Sequence, residues 1–389
     1  MACCGVPEGQ TGKLRRGQME EYSTDQEQKK EDGKRDLLSM YPAELEAFLT
    51  EISEKKFRAR QIYDWLHVQH ATSISQMTNL SKLLREKLES LACIDEPEPV
   101  EVLTSRLDGT KKYLFRMKDG NVIESVLMRY SYGLSVCISS QVGCSMGCRF
   151  CASTIGGRIR NLTASEMLGQ VLQISRLEGE RISHVVIMGS GEPLDNYDNL
   201  VRFLRIIGDP DGERLSLRDI TVSTCGIVPN IYRLAEEGLP VTLALSLHAS
   251  GQKERETLMP IAKKYEIHAV IDAVKAYFEK TKRRITFEYS CVRGVNTSTA
   301  DADRLAGLLK GLNCHVNLIP VNPVREREFT QPDRGEIEAF RRMLEKKGIH
   351  VTIRRELGRD ISASCGQLRR SYLKDHGDIL PDRCRIKTK

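Results

Sequence analysis

Seven short β-like runs alternate with helical stretches from residue 134 onward, and this alternation restricts the fold more than any other feature. The runs are LSVCISS (134–140), ISHVVIMG (182–189), DITVST (219–224), VTLALSLH (241–248), RITFEYS (284–290), HVNLIP (315–320) and HVTIRRE (350–356). Between them lie periodic segments such as TASEMLGQVLQISRLEG (163–179), ADRLAGLLKGL (302–312) and GEIEAFRRMLEKKG (335–348). The first opens on Thr163 and Glu166, the spacing of a capping box. Strands alternating with helices predict βα units, a parallel sheet and an α/β fold. Six or seven such units build an open or partial barrel, whose chemistry belongs at the C-terminal strand ends.

The residues after the first run are the most unusual in the chain. CSMGCRFCAS places Cys144, Cys148 and Cys151 within eight positions. The other cysteines are mostly scattered singly, as buried thiols in a reducing compartment are. Structural zinc closes with four ligands, and no fourth Cys or His lies near, so zinc requires a distant partner. Three thiolates suit a cubane iron–sulfur cluster, leaving one iron open to a small molecule.

Other strand ends carry polar groups. VVIMGSGEPL delivers Gly191 and Glu192, a close backbone approach and a carboxylate able to accept from an ammonium group. Ser223, the Ser246-Leu247-His248 run and Asn322 also follow strands. Singly each has a bland explanation: an acidic turn for Glu192, a core histidine for His248. Together on one barrel rim they suit a bound nucleoside.

Upstream, PAELEAFLTEI, KKFRARQIYDWLHVQH and NLSKLLREKLESL predict a compact helical subdomain over 37–95, with Leu80, Leu84, Leu88 and Leu91 at helical spacing. Its Lys55, Lys56, Arg58 and Arg60 form either an RNA-facing or a solvated helix face. EPEPVEV marks a boundary. KKYLFRMKDG and NVIESVLMRY predict a hairpin turning at Asp119-Gly120-Asn121, within an extension over 96–134. The barrel then covers 135–372. Residues 1–36 are polar and mixed in charge, which predicts a disordered leader with neither a secretory core nor transit-peptide character, and 373–389 form a tail. With no apolar run of membrane length, the expected address is the cytoplasm. The net charge of +6 hints mildly at a polyanionic partner.

The spacing CxxxCxxC after a first strand resembles the radical-SAM enzymes. In that superfamily the open iron holds S-adenosylmethionine, and reduction yields a 5′-deoxyadenosyl radical. Cys137 in CISSQVGCSMGCRFC, Cys365 in RRELGRDISASCGQLR and Glu124 in NVIESV sharpen the match, and the helical stretch 57–88 extends it. Residues 37–372 resemble the RlmN/Cfr family of ribosomal RNA adenosine methyltransferases. SSQVGC and the SCGQLR region are closer to the RlmN branch, which methylates carbon 2, than to the Cfr branch, which methylates carbon 8. Ser190 departs from the methionine common in the family.

The resemblance implies the fold, a partial (βα)6-type barrel with an N-terminal helical domain and a hairpin extension, and it implies the chemistry. Cys365 takes a methyl group from one S-adenosylmethionine, and a second, cleaved at a 4Fe-4S cluster held by Cys144, Cys148 and Cys151, activates that methyl. Glu124 is the base, and Cys137 releases product by a transient disulfide with Cys365. Gly191, Glu192, Ser223, Ser246, Leu247, His248 and Asn322 hold the cofactor. Implied partners are large-subunit ribosomal RNA, transfer RNA and an electron donor such as a flavodoxin or ferredoxin, with the enzyme a monomer. VREREF and RRSYLKDH, with Arg354, Arg355, Arg369 and Arg370, are candidates for tracking phosphates. Taken as isolated residues, Cys137 reads as core, Cys365 as a loop thiol and Glu124 as solvent-exposed. An iron–sulfur RNA-binding sensor, or a radical-SAM enzyme acting on a peptide or small molecule, are the competing readings.

Overall fold

The computed structural model describes residues 33–322 and 328–363. The leader before residue 33, Cys365 with its SCGQLR context, most of VREREF and the tail lie outside the described residues.

The N-terminal part packs three helices, α1 (Pro42–Glu51), α2 (Arg58–His67) and α3 (Lys82–Leu91). Leu80, Leu84 and Leu88 are buried, whereas Leu91 at the end of α3 is largely exposed. Leu80 precedes the helix, because the Ser81 hydroxyl accepts the Leu84 amide and caps α3 one residue later. Residues assigned to the leader by composition also take part in the fold. Arg35–Asp36 pairs in parallel with Ala92–Cys93, and Asp36 accepts the Leu38 and Asp95 amides. These helices share one continuous apolar core with the rest of the described chain, from Leu37 through Leu344.

Three antiparallel strands follow: β1 (Glu98–Thr104), β2 (Lys111–Arg116) and β3 (Val122–Tyr130). The acidic EPEPVEV stretch, expected as a boundary, contributes most of β1. It is an edge strand whose register shifts between Pro99 and Glu101, the position where a missing N–H is tolerated. The extension is thus a three-stranded meander and not a hairpin alone.

The first barrel strand, β4 (Gly133–Cys137), pairs antiparallel with β3 and joins the meander to the barrel. A short antiparallel ribbon, β5 (Gln141–Gly143) with β6 (Arg158–Asn161), stands apart from the main sheet. Then come α4 (Ala164–Glu178), β7 (Ile182–Ile187), α5 (Tyr197–Ile207), β8 (Ile220–Thr224), α6 (Val228–Glu236) and β9 (Thr242–Ser246). The chain continues through α7 (Gln252–Leu258), α8 (Ile267–Thr281), β10 (Ile285–Cys291), α9 (Thr299–Leu309), β11 (Cys314–Pro320), α10 (Arg334–Lys346) and β12 (Val351–Ile353). All seven expected barrel strands are present and parallel, in the order β4, β7, β8, β9, β10, β11, β12. The architecture is the partial (βα) barrel that the sequence predicts.

The period of two along each strand sorts the residues. Val185, Ile187, Val222, Leu243, Leu245, Phe287, Val316 and Leu318 are buried. Thr221, Ser223, Thr242, Ser246, His315 and Asn317 alternate with them and keep partial exposure. A parallel sheet covered on both faces is apolar throughout; this one keeps a polar, open inner face.

The sheet ends at β12 on one edge and β1 on the other. The chain beyond β12 spans that gap. The Gly358 amide donates to Asp108 Oδ2 (2.8 Å), the Ser105 hydroxyl to Asp360 Oδ1 (2.6 Å) and the Arg106 amide to Asp360 Oδ2 (2.8 Å). Gly358 has a φ of +62°, and a Cβ there would lie 2.6 Å from the Ala363 Cβ. Side-chain bonds to the β1–β2 loop thus close the ring that strand pairing leaves open. Among the described residues, no helix is long and apolar enough to cross a membrane.

Candidate active site

The ribbon β5–β6 sets the three-cysteine loop. The first strand does not run directly into Cys144 as the sequence suggested; β5 intervenes, and β6 returns after the loop. The Cys144 amide donates to the Gly157 carbonyl (3.1 Å), and a Cβ on Gly143 would fall 2.1 Å from that same oxygen. Within the loop the Thr154 hydroxyl lies 3.0 Å from the carbonyls of both Cys148 and Cys151, and the Cys151 amide donates to Cys148 (3.1 Å). The Arg149 amide reaches the Leu258 carbonyl at the end of α7 (2.9 Å), which ties the loop to the barrel wall.

Burial pushes the Cys144 thiol up to about 12, and burial together with Cys151 and Cys144 lifts Cys148 well above the usual thiol range. A thiolate in such a place is stable only with a cation bound to it. Among the described residues, no three His, Cys, Asp or Glu side chains converge as ligands around a single ion. The donors are three sulfurs on one short loop, and the other two add to the burial that raises Cys148. Soft thiolates that each take a different iron fit a cubane cluster.

Next to this loop, Gly191 has a φ of +108°, and a Cβ there would lie 2.6 Å from the Gln141 Cβ, so only glycine fits. Glu192 is buried, and burial raises its pKa against the hydrogen bonds it accepts. Its Oε2 accepts the Cys225 amide (2.7 Å) and its Oε1 the Leu194 amide (3.0 Å). The carboxylate therefore staples the end of β7 to the end of β8, and only its remaining lone pairs are open to an ammonium group.

Ser223 and Ser246 come together on adjacent strands, their hydroxyls 3.5 Å apart. His248, with a φ of +59°, is buried; its Nδ1 accepts the Ser290 amide (3.0 Å) and its ring stands edge-on to Phe150 of the cysteine loop at 4.8 Å. Burial, then Arg255, pull its pKa down to about 3, so it stays neutral and braces the loop. Leu247 is a core side chain whose amide donates to Glu288. Asn322 is exposed at the end of β11.

A second group sits on the inner face of the meander. Ser125 on β3 turns toward α4, where its hydroxyl donates to Gln170 (2.8 Å), so Glu124 and Val126 face the opposite way. Val126 pairs with Cys137 across β3 and β4, and Cys137 in turn lies beside Val186 of β7. Glu124 and Cys137 therefore share the inner face and are both buried. Glu124 is not the solvated strand residue that alternation alone allowed. Its Oε2 pairs with Lys112 Nζ at 2.6 Å, and Lys112, fully buried on β2, also donates to the Ser362 carbonyl (3.0 Å). The chain leading to Cys365 is thereby held beside Glu124.

Several inward groups escaped the sequence reading. Lys112 keeps phase with Leu114 and was legible from alternation. Glu288 and Asn317 are polar residues in the middle of apolar strands, joined at 2.9 Å, with burial raising Glu288. Arg255 gave no signal, since QKERETL reads as a solvated helix.

Residues 35–94 match the family described as Ribosomal RNA large subunit methyltransferase N-terminal domain, and residues 138–306 match the Radical SAM superfamily. The chain is 58% identical over 340 residues to a probable dual-specificity RNA methyltransferase RlmN of Lachnoclostridium phytofermentans, covering 87% of this chain and 95% of the relative. It is 51% identical to a protein of the same description from Clostridium perfringens, covering 88% and 99%. A crystal structure of a radical SAM methyltransferase from Sphaerobacter thermophilus superposes with a TM-score of 0.82 at 44% identity, over 86% of this chain and 98% of that one.

Proposed function

Because the chain belongs to the RlmN family of radical-SAM RNA methyltransferases, we propose that it methylates carbon 2 of adenosine in large-subunit ribosomal RNA and in transfer RNA. The observation that carries this reading is the placement of Glu124 and Cys137 on one buried inner face, with Lys112 joining Glu124 to the chain that leads to Cys365.

Carbon 2 of adenine is an electron-poor amidine carbon and does not displace a methyl group from a sulfonium, so a radical route is required. When bound at the three-thiol loop, a 4Fe-4S cluster supplies the electron that cleaves S-adenosylmethionine. Cys144, Cys148 and Cys151 ligate it. Gly191 lets the backbone approach the methionine end, Glu192 fixes the strand ends around it, and Ser223 and Ser246 offer hydroxyls to the nucleoside. The backbone at Leu247 and His248 and the side chain of Asn322 complete the rim. Cys365 carries the methyl group, Glu124 accepts the proton that leaves the ring carbon, and Cys137 forms the disulfide that frees the methylated base. That exchange needs both sulfurs within bonding reach; Lys112 holds the chain at Ser362, three residues before Cys365 in sequence, beside this face.

The helical segment 37–95 and the basic segments near the C-terminus hold the RNA, whose target base is turned out into the barrel mouth. The electron donor is a flavodoxin or ferredoxin, and the enzyme works as a monomer in the cytoplasm, where its thiols stay reduced.

The test is nucleoside mass spectrometry after an anaerobic reaction with methyl-labelled S-adenosylmethionine, reductant and each RNA class separately. Labelled 2-methyladenosine is expected, absent from Cys365→Ala, while Cys137→Ala leaves RNA covalently attached to protein. Labelled 8-methyladenosine would move the activity to the other branch. No labelled base from fully loaded enzyme would replace the reading with another substrate or with a cluster that only senses redox state.

A further inference from the structure

Arg255 on α7 is the largest fully buried side chain among the described residues. Its guanidinium donates to backbone carbonyls: Nη2 to Cys225 (2.6 Å), Nε to Leu247 (3.3 Å) and Nη1 to Tyr265 (3.4 Å). Among the described residues no carboxylate pairs with it. A guanidinium stays protonated in proteins. A cation taken wholly out of water is costly unless an anion accompanies it. Three neutral carbonyls orient this charge; they do not neutralise it.

The anion has to lie where the charge points. Cys148, Met146 and Phe150 of the three-thiol loop pack on the cluster formed by Cys225, Leu258 and Met259, and the loop's Arg149 amide bonds the last residue of α7. Cys225, Cys148 and the neutral His248 lie close enough to Arg255 to interact with it electrostatically. Cys225 meets Arg255 through its backbone carbonyl, and its amide is taken up by Glu192. Cys148 becomes an anion when it ligates iron.

We propose that Arg255 is the fixed counter-cation of the iron–sulfur centre at Cys144, Cys148 and Cys151, placed to favour its one-electron-reduced form. A positive charge locked in a dry site stabilises the state with one more electron more than the state without it. Accepting that electron from a low-potential one-electron donor is the step that precedes cleavage of S-adenosylmethionine, so Arg255 tunes the enzyme's readiness without touching substrate. It is a positioning charge and not a catalytic residue. The inference rests on the reading that the three thiols hold the cluster.

The experiment is an anaerobic redox titration of reconstituted holoenzyme with dithionite and mediators, followed by the electron paramagnetic resonance signal of the reduced cluster. At the wild-type midpoint, the ratio of reduced to oxidised centre in R255M and R255Q is expected to fall about tenfold, equivalent to about 59 mV for a one-electron couple. R255K, which keeps the charge, is expected to stay within about threefold of wild type. Equal potentials in all four proteins at equal iron and sulfide content would overturn the proposal. If neither neutral variant takes up a cluster while R255K does, the charge is required for assembly and the proposal stands; failure of all three to load would refute it. Iron content of Cys148→Ala checks the premise separately: if it equals wild type, the ligand reading fails and not the role of the charge.

Discussion

A lysine with no exposed surface, beside a buried glutamate, forms an ion pair that neither partner can leave cheaply. Lys112 and Glu124 stand 2.6 Å apart, and Lys112 also holds the Ser362 carbonyl. Removing one member of such a pair strands the other, at a cost of about 3–5 kcal/mol. Lys112→Met should lower the unfolding free energy by that amount in a denaturant titration. Lys112→Met combined with Glu124→Leu should recover a large part of it, since an apolar pair needs no counter-charge. If the double variant is as unstable as the single one, Lys112 acts through the Ser362 carbonyl and not through Glu124. At this scale the sequence was most legible where residue types are chemically distinctive. The spacing of Cys144, Cys148 and Cys151 singles out the loop that the structure brings next to Glu192 and the barrel wall, and Gly191 announces a tight backbone passage. Glu124 and Cys137 were ambiguous, because alternation along one strand cannot show which face is covered. Arg255 was invisible, because a buried arginine and a solvated one read alike among Lys and Glu neighbours.

At the scale of elements, the parallel strands and their helices were predictable because each carries its own pattern. The ribbon β5–β6 was not, since three- and four-residue strands leave too short a trace. Nor was the role of the segment after β12. It seals the sheet through Ser105, Asp108 and Asp360, groups that look like ordinary turn residues in sequence. Partial burial opposes it, but the amides of Gly358 and Thr110 hold the Asp108 carboxyl down at about 2, and the Ser105 hydroxyl and Arg106 amide lower Asp360. Asp360→Ala should therefore open the seal without unfolding the barrel. Limited proteolysis should show faster cleavage between about residues 354 and 363, with little change in Tm. An unchanged cleavage rate would mean that the Asp108–Gly358 bond suffices alone.

At the scale of the whole molecule, two buried histidines should make the fold sensitive to acid. His67 in the helical part finds no partner for either ring nitrogen among the described residues, and burial, then His70, bring its pKa down to about 3. His248 behaves alike. Both are neutral when folded and titrate near the ordinary histidine value, about 6.5, when unfolded. Below that value the unfolded chain binds more protons, so stability is intact above about pH 6.5 and is lost as pH falls toward about 3. Tm should drop between about pH 7.5 and about pH 5.5, and His67→Phe should shrink that drop. A pH dependence unaltered in His67→Phe would show that the ring finds a partner in solution.

The seal across the barrel has a consequence in time. Its bonds join residues 250 to 255 positions apart, whereas the βα units on either side are built from neighbours. During synthesis the sheet can assemble strand by strand as it emerges. Lys112 cannot meet the Ser362 carbonyl, nor Asp108 the Gly358 amide, until almost the last described residue has left the ribosome. Closure of such distant contacts comes late and slowly. A growing chain can thus own most of its fold while the bonds that close its ring are still missing, since the last of these forms only after residue 362 has been made.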